Sequence, residues 1–372
     1  GKTIEYAFEG EGVHHLVISG IDFFGCTVAF DKTSHLRIEN CSFDYFEHTK
    51  RILGVWDKPN HAGTIATVIR GPHGMSENAP DSYNVIRNCR FAYCEGGALE
   101  MEGIGDRLEN IYAHDLDWSG VGFHTWHLYR TRGMHIRRVT AMRAGASEFI
   151  NAGAQSVVEL CDLGPDLGVL QQDGGVIQFR PRRHYRSVAR YNWVHDNSKF
   201  GIRCDISGTR VPGRPDLSEQ EGVGFSAHHN VVWNTDKRVT LKPALNICGD
   251  HHMVYHNTSF NNVTSDIHLK IDKATGWGNA NTVVRNNLTD ALGIGVERVP
   301  LDDADVTPGH IDHNFMNNAI AQMVDPHNRD FRPRKDSEVV GKARIVLGIT
   351  TNDWIRRKDI GAYNWDAKNY WI

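Results

Sequence analysis

Apolar residues in this chain tend to alternate with polar ones rather than recur every three or four positions, and turn-forming Gly, Asn and Asp separate the short runs. Successive side chains of a strand point to opposite faces, so the pattern predicts half-buried strands and argues against helices. One phrase recurs within the alternation. It reads LRIENCSF over 36–43 and NVIRNCRF over 84–91. Looser copies end at Leu116, Ala141, Leu163, Val194, Val232, Phe260, Leu288 and Phe315. From each last apolar residue to the next, the steps are 48, 25, 25, 22, 31, 38, 28, 28 and 27. The first step is read as two turns of the repeat, with ATVIRG over 66–71 as the missing strand.

A strand repeat of this length without the LxxLxL frame of leucine-rich repeats leaves a parallel β-helix, whose coils of short strands stack about 4.8 Å apart. The expected fold is all-β: a single right-handed parallel β-helix of about eleven coils, with long loops along one face. One domain spans 1–372, with coils over about 13–316 and an irregular tail over 317–372. The excursions at 46–83, 206–225 and 291–309 read as loops. Asn40, Asn88, Asn192, Asn230, Asn257, Asn286 and Asn314 recur at or beside one place in the phrase. Asn tolerates the left-handed conformation of a tight bend, and stacked amides can bond along a column, so these residues are read as scaffold. Cys41, Cys89 and Cys161 share that neighbourhood and are read as packed thiols.

A second recurring strand precedes each loop: 98–103, 122–126, 147–151, 176–180, 201–205, 245–248 and 266–272. Alternation sends Leu99, Met101, Phe123, Phe149, Ile177, Phe179, Ile202, Cys204, Leu245, Ile247, Ile267 and Leu269 inward. It sends Glu100, Glu102, His124, Glu148, Gln178, Arg180, Arg203, Asp205, Asn246, His268, Lys270 and Asp272 outward. A merely solvated sheet face needs polar residues but no such mixture of acids, bases and guanidinium groups, so the row is read as a groove for a long polar ligand. Trp56, Trp126, Tyr185 and Trp193 are candidates to stack on sugar rings.

Composition narrows the classes. With 372 residues, 40% hydrophobic and 23% charged, the chain can build a sizeable core, and no apolar stretch approaches the roughly 20 residues that cross a bilayer. A net charge of −4 gives no general reason to expect nucleic acid or an anionic membrane as partner. Seven cysteines without a CxxC pair argue against a disulfide framework or a zinc ribbon. The 21 histidines include no HExxH, and the neighbours His228–His229 and His251–His252 would point to opposite faces of a strand. Gly1-Lys2-Thr3 reads like the start of a trimmed protein.

Residues 172–208 carry the sharpest pattern. Asp173-Gly174-Gly175-Val176-Ile177, Arg190-Tyr191-Asn192-Trp193-Val194-His195-Asp196 and Gly201-Ile202-Arg203-Cys204-Asp205 resemble segments of bacterial right-handed parallel β-helix proteins of the pectin-lyase-like superfold. The likeness is particularly to the β-helix glycoside hydrolases that include α-L-fucosidases and xylan-active enzymes. The tail, with RDFRPRKDSEVVGK over 329–342 and DIGAY over 359–363, is similar to the ending of many exported bacterial β-helix enzymes. The resemblance implies a secreted or periplasmic enzyme acting on a polysaccharide, with Asp173 and Asp205 as paired carboxylates. The sequence departs from the family pattern at Gln178, where Tyr is usual, and at Ile206, where a second acid is usual.

The pair makes chemical sense, because glycoside hydrolysis needs one protonated acid at the leaving oxygen and a second carboxylate as nucleophile or base. Lying 32 residues apart, about one repeat, they belong on adjacent coils. Glu148 and His124 are further catalytic candidates. Gln178, Arg180, Arg183, His184, Arg203, Asn246, His268, Lys270 and Trp126 are candidate substrate contacts. The basic cluster Arg180, Arg182, Arg183, His184 and Arg186 suits sulfate or carboxylate groups and points to an acidic or sulfated glycan. Hydrolysis requires no cofactor.

Two other readings stay open. A polysaccharide lyase would use Lys270, His268, Arg203, Arg180 or His124 as base and neutraliser, with Ca²⁺ held by Glu100, Glu102 and Asp272. A non-catalytic glycan-binding β-helix would need the stacked core but no matched acids.

Overall fold

The computed structural model describes residues 4–46, 67–72, 80–118, 124–145, 148–170, 173–179, 185–205, 223–235, 242–270, 278–295, 309–350 and 358–368. Its strands pair in parallel from coil to coil, and the chain is a parallel β-helix. The first sheet has eleven strands, in chain order: Tyr6–Glu11, Thr27–Asp31, Thr67–Arg70, Leu99–Ile104, His124–Arg132, Glu148–Ala154, Gly175–Phe179, Phe200–Cys204, Leu245–Ile247, Ile267–Lys270 and Leu292–Gly295. The remaining coil strands form two more ladders side by side. Val85–Ala92, Arg107–Leu116 and His135–Ala144 run around the bend between those ladders without a break.

Val85 pairs with Arg37 and Phe91 with Phe43, so the step of 48 residues is one coil and not two. Residues 66–71 do hold a strand, Thr67–Arg70, but it belongs to the first sheet. Most of the three expected loops lies outside the described residues.

Inward side chains stack like on like. Phe23, Phe43 and Phe91 lie ring on ring at 4.6 and 4.8 Å with nearly parallel planes, because the pairing register repeats one position from coil to coil.

Each coil turns at a residue with positive φ, among them Asn40, Asn88, Asn110, Arg138, Leu160, Tyr191, His229, His256, Asn286 and His313. The expected single Asn column is two columns. Asn40, Asn88 and Asn110 occupy the bend itself and bond side chain to side chain at 3.1 and 2.8 Å. Asn192, Asn230, Asn257, Asn287 and Asn314 sit one place later and are mostly buried. Each of the first four donates its amide to the next one's oxygen at 2.8–3.0 Å, and each of the five also donates to a backbone carbonyl. Asn287, not Asn286, is the ladder member. In earlier coils the place after the bend holds Cys41, Cys89, Ile111, Val139 and Cys161. Cys161 donates its N–H to Asn192 Oδ1 at 3.1 Å, joining the two stretches. Burial pushes the Cys89 and Cys161 thiols up to about 12, as befits packed, unreactive groups.

The tail is more ordered than expected. Ala319–Gln322 is a short helix, and Met323–Asp325 pairs antiparallel with Asp330–Pro333. Phe331, Val339, Ala343, Ile360 and Ala362 pack on Trp193, Val231, Trp233, Phe260 and Leu288, forming a second apolar cluster outside the coils. Tyr363 Oη accepts from Trp193 Nε1 at 2.9 Å.

Candidate active site

The register of the first sheet lines up one row across eight coils: Glu100, His127, Asn151, Gln178, Arg203, Asn246, His268 and Gly293. Five of the expected outward residues stand in it. Two strands are slipped by one residue relative to expectation. Trp126 aligns with Leu99 and Ile150, is wholly buried and packs against Phe149 at 5.0 Å. It is a core residue, and no sugar can stack on it. The same slip puts Asn151 in the row where Glu148 was expected, since moving a strand by one position exchanges its faces. Glu148 opens its strand, is buried, and accepts from Asn151 Nδ2.

Arg203 is the centre of the site. Its guanidinium donates to Asp173 Oδ1 at 2.7 Å and to Asp205 Oδ1 at 3.0 Å, and lies 4.8 Å from the Phe200 ring centroid. The two carboxylates therefore sit on adjacent coils and share one cation. Asp173 immediately precedes Gly174, whose φ of +89° turns the chain and whose N–H also bonds Asp173 Oδ1 at 2.8 Å. Gly175 lies so close to Arg203 that a Cβ there would come within 3.0 Å of Arg203 Cβ. The DGG sequence thus makes the turn and lets the backbone at Gly175 lie close against Arg203 Cβ. Lys199, which sequence reasoning missed, is buried and donates from Nζ to the Asp173 carbonyl at 3.0 Å. Only its place just before the strand core could have suggested it.

The two acids are pushed in opposite directions. Burial raises the Asp205 pKa, assisted by the charges of Asp173 and Glu148 and opposed by Arg203 and Lys270. Burial acts the same way on Asp173, but Arg203, the Gly174 N–H and Lys242 outweigh it and hold that carboxyl below its usual value. Asp173 is 73% exposed in its side chain and Asp205 is 23% exposed.

Around them the row is more enclosed than a solvated face. Gln178 is fully buried; its Oε1 accepts from the Gly175 N–H and its Nε2 lies 3.4 Å from Asp205. It supports Asp205 and, fully enclosed, cannot touch substrate as expected. Asn246 and His268 are each 5% exposed, and Asn246 Nδ2 lies 3.4 Å from Cys248 Sγ. Lys270 is partly exposed at the end of its strand.

His124 pairs by its backbone with Glu148, while its side chain lies outside the described residues, as do Arg180, Arg182, Arg183, His184, Trp56 and Asp272. Arg186 packs its guanidinium over Tyr185 at 5.2 Å, and Trp193 is buried beneath the tail. Glu100 bonds Arg70, and Glu102 bonds Arg130. Among the described residues no group of three or more His, Cys, Asp or Glu side chains is arranged to hold a metal ion. No protein-family model, curated protein or solved structure matches the chain.

Proposed function

We propose that the chain is a glycoside hydrolase that cleaves an acidic or sulfated polysaccharide along the groove of the first sheet. The observation that carries this reading is the Asp173–Arg203–Asp205 bridge, with the two carboxyl groups shifted apart in proton affinity. Opposite shifts in neighbouring carboxyl groups are how one site assigns an acid and a base. Asp205 keeps its proton to higher pH and delivers it to the leaving glycosidic oxygen. Asp173 is ionised and serves as nucleophile or as base toward water. Arg203 touches both acids and is a positioning residue. Lys270 adds positive charge near the acids, and the basic composition of 180–186 suits an anionic chain. The resemblance of residues 172–208 to β-helix glycoside hydrolases, and of the tail to exported bacterial enzymes, supports the same reading and a secreted or periplasmic location.

The test is incubation with a panel of acidic, sulfated and neutral glycans, recording reducing ends together with ultraviolet absorbance. Hydrolysis releases reducing ends without a new double bond. Asp205→Asn and Asp173→Asn should each lower kcat by about 10²–10⁴-fold, the usual worth of a positioned acid or base. Absorbing products that persist in Asp205→Asn would make the protein a lyase instead. Oligosaccharide binding without turnover, unchanged in the double variant, would make it a binder.

A further inference from the structure

On a different face from the groove, at the seam between the coils and the tail, lies a pocket of about 210 Å³. Three successive bends build one wall. Asp196, Asn234 and Asn261 each follow a strand end, each has positive φ, and they are joined in a chain: Asn234 Nδ2 donates to Asp196 Oδ1 at 3.0 Å, and Asn261 donates to Asn234 Oδ1. Behind them stand Trp233 and Phe260, stacked at 6.1 Å. The tail supplies the opposite wall through Ile320, Pro326, His327 and Arg329.

The charges here are compensated. Arg329 reaches Asp162 Oδ2 at 3.1 Å and lies over both Trp193 and Trp233. Asp196 accepts from His195, whose other ring nitrogen meets Asp162 at 2.8 Å. A carboxylate repels an anion and a guanidinium repels a cation, so a pocket holding one of each, both already partnered, favours an uncharged guest. Amides, a carboxylate and a guanidinium beside aromatic carbon suit a ligand with many hydroxyls and apolar C–H faces. The volume falls below the roughly 300–1,000 Å³ of sites for drug-sized ligands, which limits the guest to about one ring.

We propose that this pocket binds a single neutral sugar unit, as an accessory site separate from the groove. The site is independent of whether the groove hydrolyses, since it shares no residue with it. Saturation-transfer NMR and calorimetry with neutral monosaccharides (glucose, galactose, mannose, xylose and fucose), and with glucuronate and sulfate as anionic controls, test it on the full chain. At least one neutral sugar should bind, and the anions should not. Ile320→Trp, which fills the cavity, and Arg329→Ala should weaken binding at least 10-fold with melting temperatures close to the parent's. Should Ile320→Trp fail to fold, the exposed His327→Trp takes its place. Asp205→Asn should leave this binding intact, so loss of turnover and loss of the pocket read out separately. Absence of binding by all five sugars, preference for the anions, or binding indifferent to the pocket variants would overturn the proposal.

Discussion

Asp106 is fully buried, and its Oδ1 accepts the Ser82 hydroxyl and the Asn84 N–H, both at 2.7 Å. Burial raises its pKa from 3.8 to about 7, outweighing those bonds. The folded chain thus holds this proton more tightly than the unfolded one. Its contribution is full below pH 3.8 and is lost as the pH rises toward about 7. His228 and His256, drawn down to about 4 by burial, act in the opposite sense: they resist charging, and stability falls as pH drops from 6.5 toward 4. Because the two effects overlap, the variant comparison isolates the first. Asp106→Asn preserves the shape and removes the titration, so its melting temperature should decline less than the parent's between pH 4 and pH 8. Equal declines would refute the assignment.

Among the elements, the buried Asn ladder is sensitive to a single change. Asn257 accepts from Asn230 through both backbone and side chain, and donates to Ala227 and Asn287. Asn257→Ala strands buried donors and acceptors at about 1–3 kcal/mol each, so urea denaturation should show a loss of at least about 2 kcal/mol. Cys89→Ala, in the same column, should cost less, because its sulfur's contacts to the Arg87 and Ile38 carbonyls, at 3.2 and 3.7 Å, are weak. The strands and, apart from its first step, the coil repeat were legible in the sequence because a stacked fold repeats its demands at each coil, whereas the one expected Asn column proved to be two. Which of Asn286 and Asn287 bends the chain was not legible, since both tolerate a bend and only the pairing register decides. The acids of the candidate site came from the resemblance of residues 172–208 to β-helix glycoside hydrolases, and their spacing of about one repeat predicted only that they lie on adjacent coils. Trp126 and Glu148 were misplaced because alternation gives a period but no phase, and a short run fits either face. Lys199 stands outside any pattern, as its role depends on a carbonyl one coil away.

At the scale of the molecule, each coil touches mainly its neighbours, so a lesion should stay local. Phe331 packs on Trp193, Trp233 and Phe260 from the tail, with ring centroids at 5.3, 4.8 and 5.9 Å. Phe331→Ala should cost about 3–5 kcal/mol. Amide exchange should quicken in Trp193–His195, Val231–Trp233 and Thr258–Phe260 and stay unchanged in Val17–Ser19 and Arg37–Glu39. Uniform quickening would contradict this picture. The changeover from thiol and aliphatic side chains to amides between Cys161 and Asn192 also bears on how such a chain can grow. A coil copied within the amide stretch arrives with a matching donor above and acceptor below, and so inherits its alignment. A copy made before Cys161 brings only hydrocarbon and sulfur to that column, and must find its place by shape.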